Sequence, residues 1–165
     1  MKRAIICDVD GTIALMDFKK RTPFQYIKAN EDKPNDNIIR LLLNTAKAEE
    51  AFIIFLSARE NVTFPTERSK YNTAYDLTES WIRKHVFNDY TGTQWYDNWG
   101  ISGWQLILRD KGDYRKDCYV KYDLYNKRIK DNYEVFYVFD DRNQVVDMWR
   151  NALGLTCLQV ADGNF

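Results

Sequence analysis

The stretch Arg3-Ala4-Ile5-Ile6-Cys7-Asp8-Val9-Asp10-Gly11-Thr12 passes from a continuous apolar run into two acids one residue apart, then a glycine. A run without polar alternation predicts a strand buried on both faces. Residues i and i+2 of an extended chain point to the same side, so Asp8 and Asp10 can face one site at the strand's end. Gly11 lets the backbone turn away tightly. Two neighbouring carboxylates repel, and without a cation one of them takes up a proton. A divalent ion removes that conflict for one acid and leaves the other free for proton transfer. The plainer alternative is an acid pair capping the next turn.

Four further apolar runs follow, at 51–56, 104–108, 135–139 and 156–160. Helical patterns lie between them. Pro34-Asn35-Asp36 reads as a helix start, with Ile38, Ile39, Leu42, Leu43 and Ala46 at helical spacing. Within 71–86, Ala74, Leu77, Thr78, Trp81, Ile82 and His85 share a side; Cys118, Tyr122, Tyr125 and Ile129 form the next stripe. A last helix carries Val145, Trp149 and Ala152 and ends near Gly154. This alternation predicts an α/β fold: a Rossmann-like parallel sheet of about five strands with helices on both faces. In such sheets, sites form where strands end and crossovers diverge.

Two later strand ends also carry suitable chemistry, Ser57-Ala58-Arg59 and Asp140-Asp141-Arg142. Together with the first pair, Asp140 and Asp141 supply an all-oxygen environment that suits Mg²⁺ and not zinc. Alternatively, Asp141 caps the helix that follows. The Ser57 hydroxyl suits a phosphate oxygen, but serine is also an ordinary strand-end residue. Lys121 sits on a predicted helix, where most lysines are simply solvated.

The 165 residues suffice for one domain with a real core, and no apolar run of membrane-spanning length or export signal is present. Three cysteines, Cys7, Cys118 and Cys157, have no metal or redox spacing and suit a reducing cytoplasm. The lone histidine, His85, lies on an apolar face, which excludes mechanisms that need a histidine pair. Lys plus Arg equals Asp plus Glu at 24 each, so any polynucleotide must be gripped locally, over few phosphates. Some of the five Trp, eleven Tyr and nine Phe are available to stack on bases, although most suit the core.

The order Asp-x-Asp-Gly-Thr, strand-end Ser, Lys, then Asp-Asp after a strand resembles the haloacid dehalogenase superfamily. The resemblance implies Mg²⁺-dependent chemistry through a phosphoaspartate. Asp8 is then the nucleophile and Asp10 the general acid and base. Thr12, Ser57 and Lys121 serve the phosphoryl group, and Asp8, Asp10, Asp140 and Asp141 the metal. Asp10 acts as an acid only if its surroundings raise its pKa.

A closer likeness lies in Gly112-Asp113-Tyr114-Arg115-Lys116-Asp117, in 140–150, and in Gln159-Val160-Ala161-Asp162-Gly163-Asn164-Phe165. These resemble the 3′-phosphatase domain of phage polynucleotide kinase-phosphatase. That likeness implies removal of 3′-terminal phosphates from DNA or RNA in end repair, with a ligase or kinase acting in trans. It implies cytoplasmic action, in an infected bacterium if phage-encoded. It also adds Arg21, Arg59 and Asp117 to the site. The arginine forks suit phosphate oxygens. Asp117 lies one turn before Lys121 and is placed to orient it.

The sequence departs from the family around 17–20, where the loop is about two residues longer, and at Ala58, where glycine is common. The irregular stretch 90–103 matches no family element. No G-x-x-x-x-G-K-[ST] motif is present, so no ATP site and no kinase domain are expected, and 1–165 reads as a single phosphatase domain. Only about 46 residues separate Asp10 from Ser57, and about 63 separate Ser57 from Lys121. That leaves room for a minimal cap, and an open site admits a polymer end. Two rivals remain: a nucleotidase or other small-molecule phosphatase with the same residues, and a non-catalytic module that binds nucleic-acid ends.

Overall fold

The structure, a computed structural model, describes residues 1–89 and 100–165, so most of the irregular stretch 90–103 lies outside the described residues. Five parallel strands form the central sheet: β1 (Lys2–Cys7), β4 (Phe52–Glu60), β5 (Trp104–Arg109), β6 (Tyr133–Asp140) and β7 (Cys157–Gln159). Their spatial order is β5-β4-β1-β6-β7. The chain therefore runs outward from β1 through β4 to β5, then crosses back to build β6 and β7 on the other side. The reversal falls between β1 and β6. A crevice opens there because the connections on either side leave in opposite directions.

The strand runs are apolar because both faces are covered. Ile5, Cys7, Ile53 and Phe55 pack with Leu42, Leu77, Trp81 and Ile82 on one face. Ala4, Ile6, Ile54 and Leu56 pack with Val120, Leu124, Val145 and Trp149 on the other. Helices α1 (Asp36–Ala48) and α2 (Ala74–His85) cover the first face, and α3 (Asp117–Leu124) and α4 (Asn143–Asp147) the second. The start of α2 is fixed by a reciprocal cap, in which Thr73 Oγ1 accepts from the Asp76 amide and the Asp76 carboxylate accepts from the Thr73 amide. His85 is half-buried, with its ring 4.8 Å from that of Trp81.

Two expectations are corrected. The buried stripe of α3 is Val120, Lys121 and Leu124, whereas Tyr122 is 40% exposed. The helix is rotated so that Lys121 points inward, and it widens into a π-helical turn over Tyr125–Ile129 that brings Ile129 back into the core. The start of α4 lacks the Asp141 cap, because Arg142 holds the N-cap position and makes no side-chain cap bond.

Between β1 and α1 the chain makes only a two-stranded ribbon, β2 (Ala14–Leu15) with β3 (Lys33–Pro34), and a 3₁₀ turn at Tyr26–Glu31. This is the small cap that the short interval allows. Among the described residues no helix is long and apolar enough to cross a membrane.

The sheet depends on its central aromatic packing. Phe55 is 0% exposed and meets Phe87 and Trp104 edge-on, with centroids 6.2 and 5.8 Å away. Replacing Phe55 with Ala is expected to cost about 3–5 kcal/mol in a urea melt; a loss below about 1 kcal/mol would show that the site is not close-packed.

Candidate active site

The site forms at the carboxyl ends of β1, β4 and β6. Asp8 follows β1 directly, and its amide donates to the Phe139 carbonyl at 2.9 Å, which ties the two strand ends together. Lys121 reaches the same point from α3. Its Nζ donates to Asp8 Oδ1 at 2.7 Å and to Asp140 Oδ2 at 2.8 Å. All three groups are buried. Burial alone would strip the ammonium of its proton, but Asp140 and Asp8 outweigh it and raise the pKa of Lys121. Burial pushes Asp8 well above the usual carboxylate range; Lys121 opposes that shift, and Asp140 and Asp141 add to it. Thr12 Oγ1 donates to the other Asp8 oxygen at 3.1 Å.

Asp140 is held on every side. Its Oδ1 accepts from the amides of Asp141 and Arg142 at 3.0 and 3.3 Å, and its Oδ2 also from Trp149 Nε1 at 3.2 Å. It is Asp140, then, that turns back on the backbone ahead of α4. Among the described residues, no side chain donates to the Asp141 carboxylate. It lies over Gly11 (φ +82°), where an added Cβ would sit 2.2 Å from Asp141 Oδ2. Glycine is required there both for the left-handed backbone and for the space.

Asp10 faces a different set of partners. Arg59 grips it with two bonds, Nε to Oδ2 at 2.7 Å and Nη2 to Oδ1 at 2.8 Å. Arg21 Nη2 adds a third to Oδ1 at 3.2 Å. Burial would raise the pKa of Asp10, but Arg59 and then Arg21 overcome it, so the net shift is downward. The raised value that a resting general acid requires is therefore not what this geometry provides. Nor does the Asp10 carboxylate join the other acids: among the described residues, the group that offers oxygens within 4.8 Å of one another is Asp8, Asp140 and Asp141.

Both arginines are themselves positioned by Asp32, which sequence reasoning missed. Arg21 donates to its two oxygens at 2.8 and 2.5 Å, and Arg59 to Oδ2 at 3.3 Å. Thr78 Oγ1 accepts from Arg59 Nη1 at 2.9 Å, and the Asp32 carbonyl accepts from Trp81 Nε1 at 2.9 Å. No local signal separates Asp32 from its neighbours Glu31 and Asp36, because its partners are distant in the chain.

Ser57 is 1% exposed, and its oxygen accepts from the Arg59 amide at 3.1 Å. Its O–H donates to no described group, so a donor remains for a phosphate oxygen. Asp117 does not touch Lys121. It pairs with Arg109, the end of β5, and with Arg142, in a network that braces the two loops. Lys121 needs no support from its own helix because Asp8 and Asp140 already hold it.

The donor set fits a hard divalent cation such as Mg²⁺. Three buried carboxylates share a single ammonium, and the third, Asp141, is left uncompensated. Burial, reinforced by Asp140, lifts its pKa to about 6. Lewis-acid charge at this point would offset the repulsion.

A doubly wound parallel sheet with acids at two adjoining strand ends and a buried lysine between them defines a phosphatase-type site of the haloacid dehalogenase kind. The family model for the polynucleotide kinase PNKP phosphatase domain matches residues 2–165, and the chain belongs to that family. A protein of Autographa californica nuclear polyhedrosis virus, provisionally named as a bifunctional polynucleotide kinase/RNA ligase, is 29% identical over 149 residues. That match covers 90% of this chain and 18% of the viral protein. Two solved structures are similar over almost the whole chain. One, of a Pnkp1/Rnl/Hen1 complex, has a TM-score of 0.74 at 34% identity, with 100% of this chain and 48% of that one covered. The other, of the Pnkp1/Rnl/Hen1 RNA repair complex, has a TM-score of 0.73 at 35% identity, covering 99% and 44%. The chain thus spans less than half the length of these relatives.

Two predictions follow from the geometry. Asp32→Ala leaves two buried guanidiniums sharing one carboxylate and should cost about 3–5 kcal/mol in a denaturant melt; a neutral result would show that Asp32 positions nothing. The second concerns Asp141. Its carboxyl is raised to about 6 in the fold against about 3.9 in an unfolded chain. Between those values only the folded state keeps the proton, so metal-free stability falls as pH rises through about 6. Mg²⁺ should therefore raise the melting temperature more at pH 7.5 than at pH 5, and an equal shift at both would rule out this site as the binding point.

Proposed function

We propose that this chain is a Mg²⁺-dependent polynucleotide 3′-phosphatase that removes 3′-terminal phosphates from DNA or RNA through a phosphoaspartate on Asp8. The observation that carries the reading is the convergence of Asp8, Asp140 and Asp141 within 4.8 Å, around one buried lysine, in a chain of this family.

Asp8 attacks the phosphorus, and the bond to the 3′ oxygen breaks. Lys121 holds the nucleophile in place and offsets charge on the transferring group, while the unspent Ser57 hydroxyl takes a phosphate oxygen. Asp10, which takes up a proton from solvent as the bound phosphate draws Arg59 and Arg21 away, delivers it to the leaving 3′ oxygen. Water then attacks the phosphoaspartate, gives its proton to Asp10, and inorganic phosphate departs. A Mg²⁺ ion held by Asp8 and Asp141 would supply positive charge that offsets the repulsion between Asp8 and the substrate phosphate. Asp141, free of side-chain donors, is the better-placed direct ligand; Asp140 supports it and anchors Lys121. Because Arg59 and Arg21 hold Asp10 ionised, its acid role requires them to transfer bonds to the incoming phosphate. Each bond moved away relieves the influence that keeps its pKa low.

Two features support a polymer end over a small metabolite. Among the described residues the cap between β1 and α1 is a short ribbon and one 3₁₀ turn, which supports access for a chain end. The solved relatives belong to complexes that contain Rnl, one of them an RNA repair complex, which supports a ligase acting in trans.

The test is phosphate release, with Mg²⁺ and with EDTA, from DNA and RNA oligonucleotides carrying a 3′- or a 5′-phosphate. Mg²⁺-dependent release from the 3′ end, reduced at least about 10³-fold in Asp8→Asn, is expected. Release confined to mononucleotides would keep the chemistry and overturn the substrate; full activity in Asp8→Asn would overturn the chemistry.

A further inference from the structure

A groove of about 600 Å³ lies beside the site, between the 3₁₀ segment and the loop that follows β4. In the chain, the first wall, from Gln25 to Glu31, lies between Arg21 and Asp32 of the ionic layer around Asp10. The second, from Arg68 to Tyr71, follows β4 by a few residues. The walls are fixed in place. Lys28 Nζ donates to the Lys20 carbonyl at 3.4 Å, and the Tyr71 and Ser80 hydroxyls share a hydrogen bond at 3.3 Å. Trp81 bonds the Asp32 carbonyl from behind the first wall.

The charge along the groove is one-sided although the chain as a whole is neutral. Lys28, Arg68 and Lys70 line it, against one acid, Glu31. All three cations are exposed, and Lys70 Nζ lies 5.1 Å over the Tyr71 ring. Phe24, which directly precedes the lining residue Gln25 in the chain, is 82% exposed. A cationic track with an aromatic platform is the chemistry of single-stranded nucleic-acid binding.

We propose that this groove is the track of the substrate strand. The phosphates on the 5′ side of the terminal 3′-phosphate lie against Lys28, Arg68 and Lys70, and Phe24 stacks on a base. This rests on the polynucleotide 3′-phosphatase reading and adds the path that the polymer takes. The footprint is short, about three phosphates, one for each cation, which agrees with local grip by a chain of zero net charge.

The experiment is steady-state kinetics on a short 3′-phosphorylated single strand and on a 3′-mononucleotide, over a range of salt. The proteins compared are the wild type, the triple variant Lys28→Gln, Arg68→Gln, Lys70→Gln, and Phe24→Ala. For the wild type, log(kcat/KM) for the oligonucleotide should fall with log salt at a slope of about −2. The triple variant should flatten that slope and raise the oligonucleotide KM about tenfold or more. Phe24→Ala should raise KM about fivefold or more with the slope unchanged. Mononucleotide turnover should not move in either variant, which shows that the fold and the chemistry are intact. An unaltered oligonucleotide KM and slope in the triple variant would overturn the track and leave the substrate reading standing. Equal losses on both substrates would also overturn it, because the residues would then act on the site itself. A wild type that shows no preference for the oligonucleotide would overturn the track and the polynucleotide reading together.

Discussion

The structure turns on one buried ammonium. Lys121 lies between Asp8 and Asp140, and through them it joins α3 to the ends of β1 and β6 at the point where the sheet's winding reverses. Three desolvated ionic groups are costly unless their geometry is good and their remaining lone pairs are satisfied. Here they are: Thr12 completes Asp8, while two backbone amides and Trp149 complete Asp140. The same bonds that make the charges tolerable also fix the direction of the Asp8 carboxylate. Stability and preorganisation are one set of contacts at this position.

A second ionic layer, Arg21, Arg59, Asp10 and Asp32, surrounds the first and behaves differently. Lys121 is enclosed, whereas the Asp10 side chain keeps 38% of its surface exposed. Arg109, Asp117 and Arg142 form a third cluster that braces the loops after β5 and β6. The C-terminal segment closes over the last of these. Arg142 donates to the Phe165 carbonyl at 2.8 Å, and a Cβ at Gly163 would meet the Asp141 carbonyl oxygen at 2.1 Å. Any side chain at Gly163 would have to move the turn that carries both acids of the third strand end.

Much of this was legible in the sequence, for identifiable reasons. Buried parallel strands advertise themselves as unbroken apolar runs, and all five were found because both sheet faces are covered. The acids after β1 and β6 and the serine after β4 stand out because strand ends at a switch point are where side chains converge. Partner choice was not legible. Asp117 looked like the support of Lys121 because the two share a helix face, yet charges from other elements took both of them. Asp32 and Thr78 meet Arg59 across 27 and 19 positions, a relation that no local pattern encodes. The direction of the pKa shift at Asp10 depended on those same distant arginines.

The crossover that places β1 between β4 and β6 also sets a schedule. Asp8 lies near the front of the chain, but Lys121, Asp140 and Asp141 arrive more than a hundred positions later. At ribosomal speeds of about 5–20 residues per second, that gap lasts on the order of ten seconds. Throughout it the central strand has an unpaired edge and Asp8 lacks its counter-charge. A nascent chain can zip β1 to β4 and β5, yet it cannot assemble the catalytic cluster until β6 has emerged and inserted. The Asp8–Lys121–Asp140 cluster is therefore among the last things that synthesis of this domain completes, and a chain stalled before β6 lacks it.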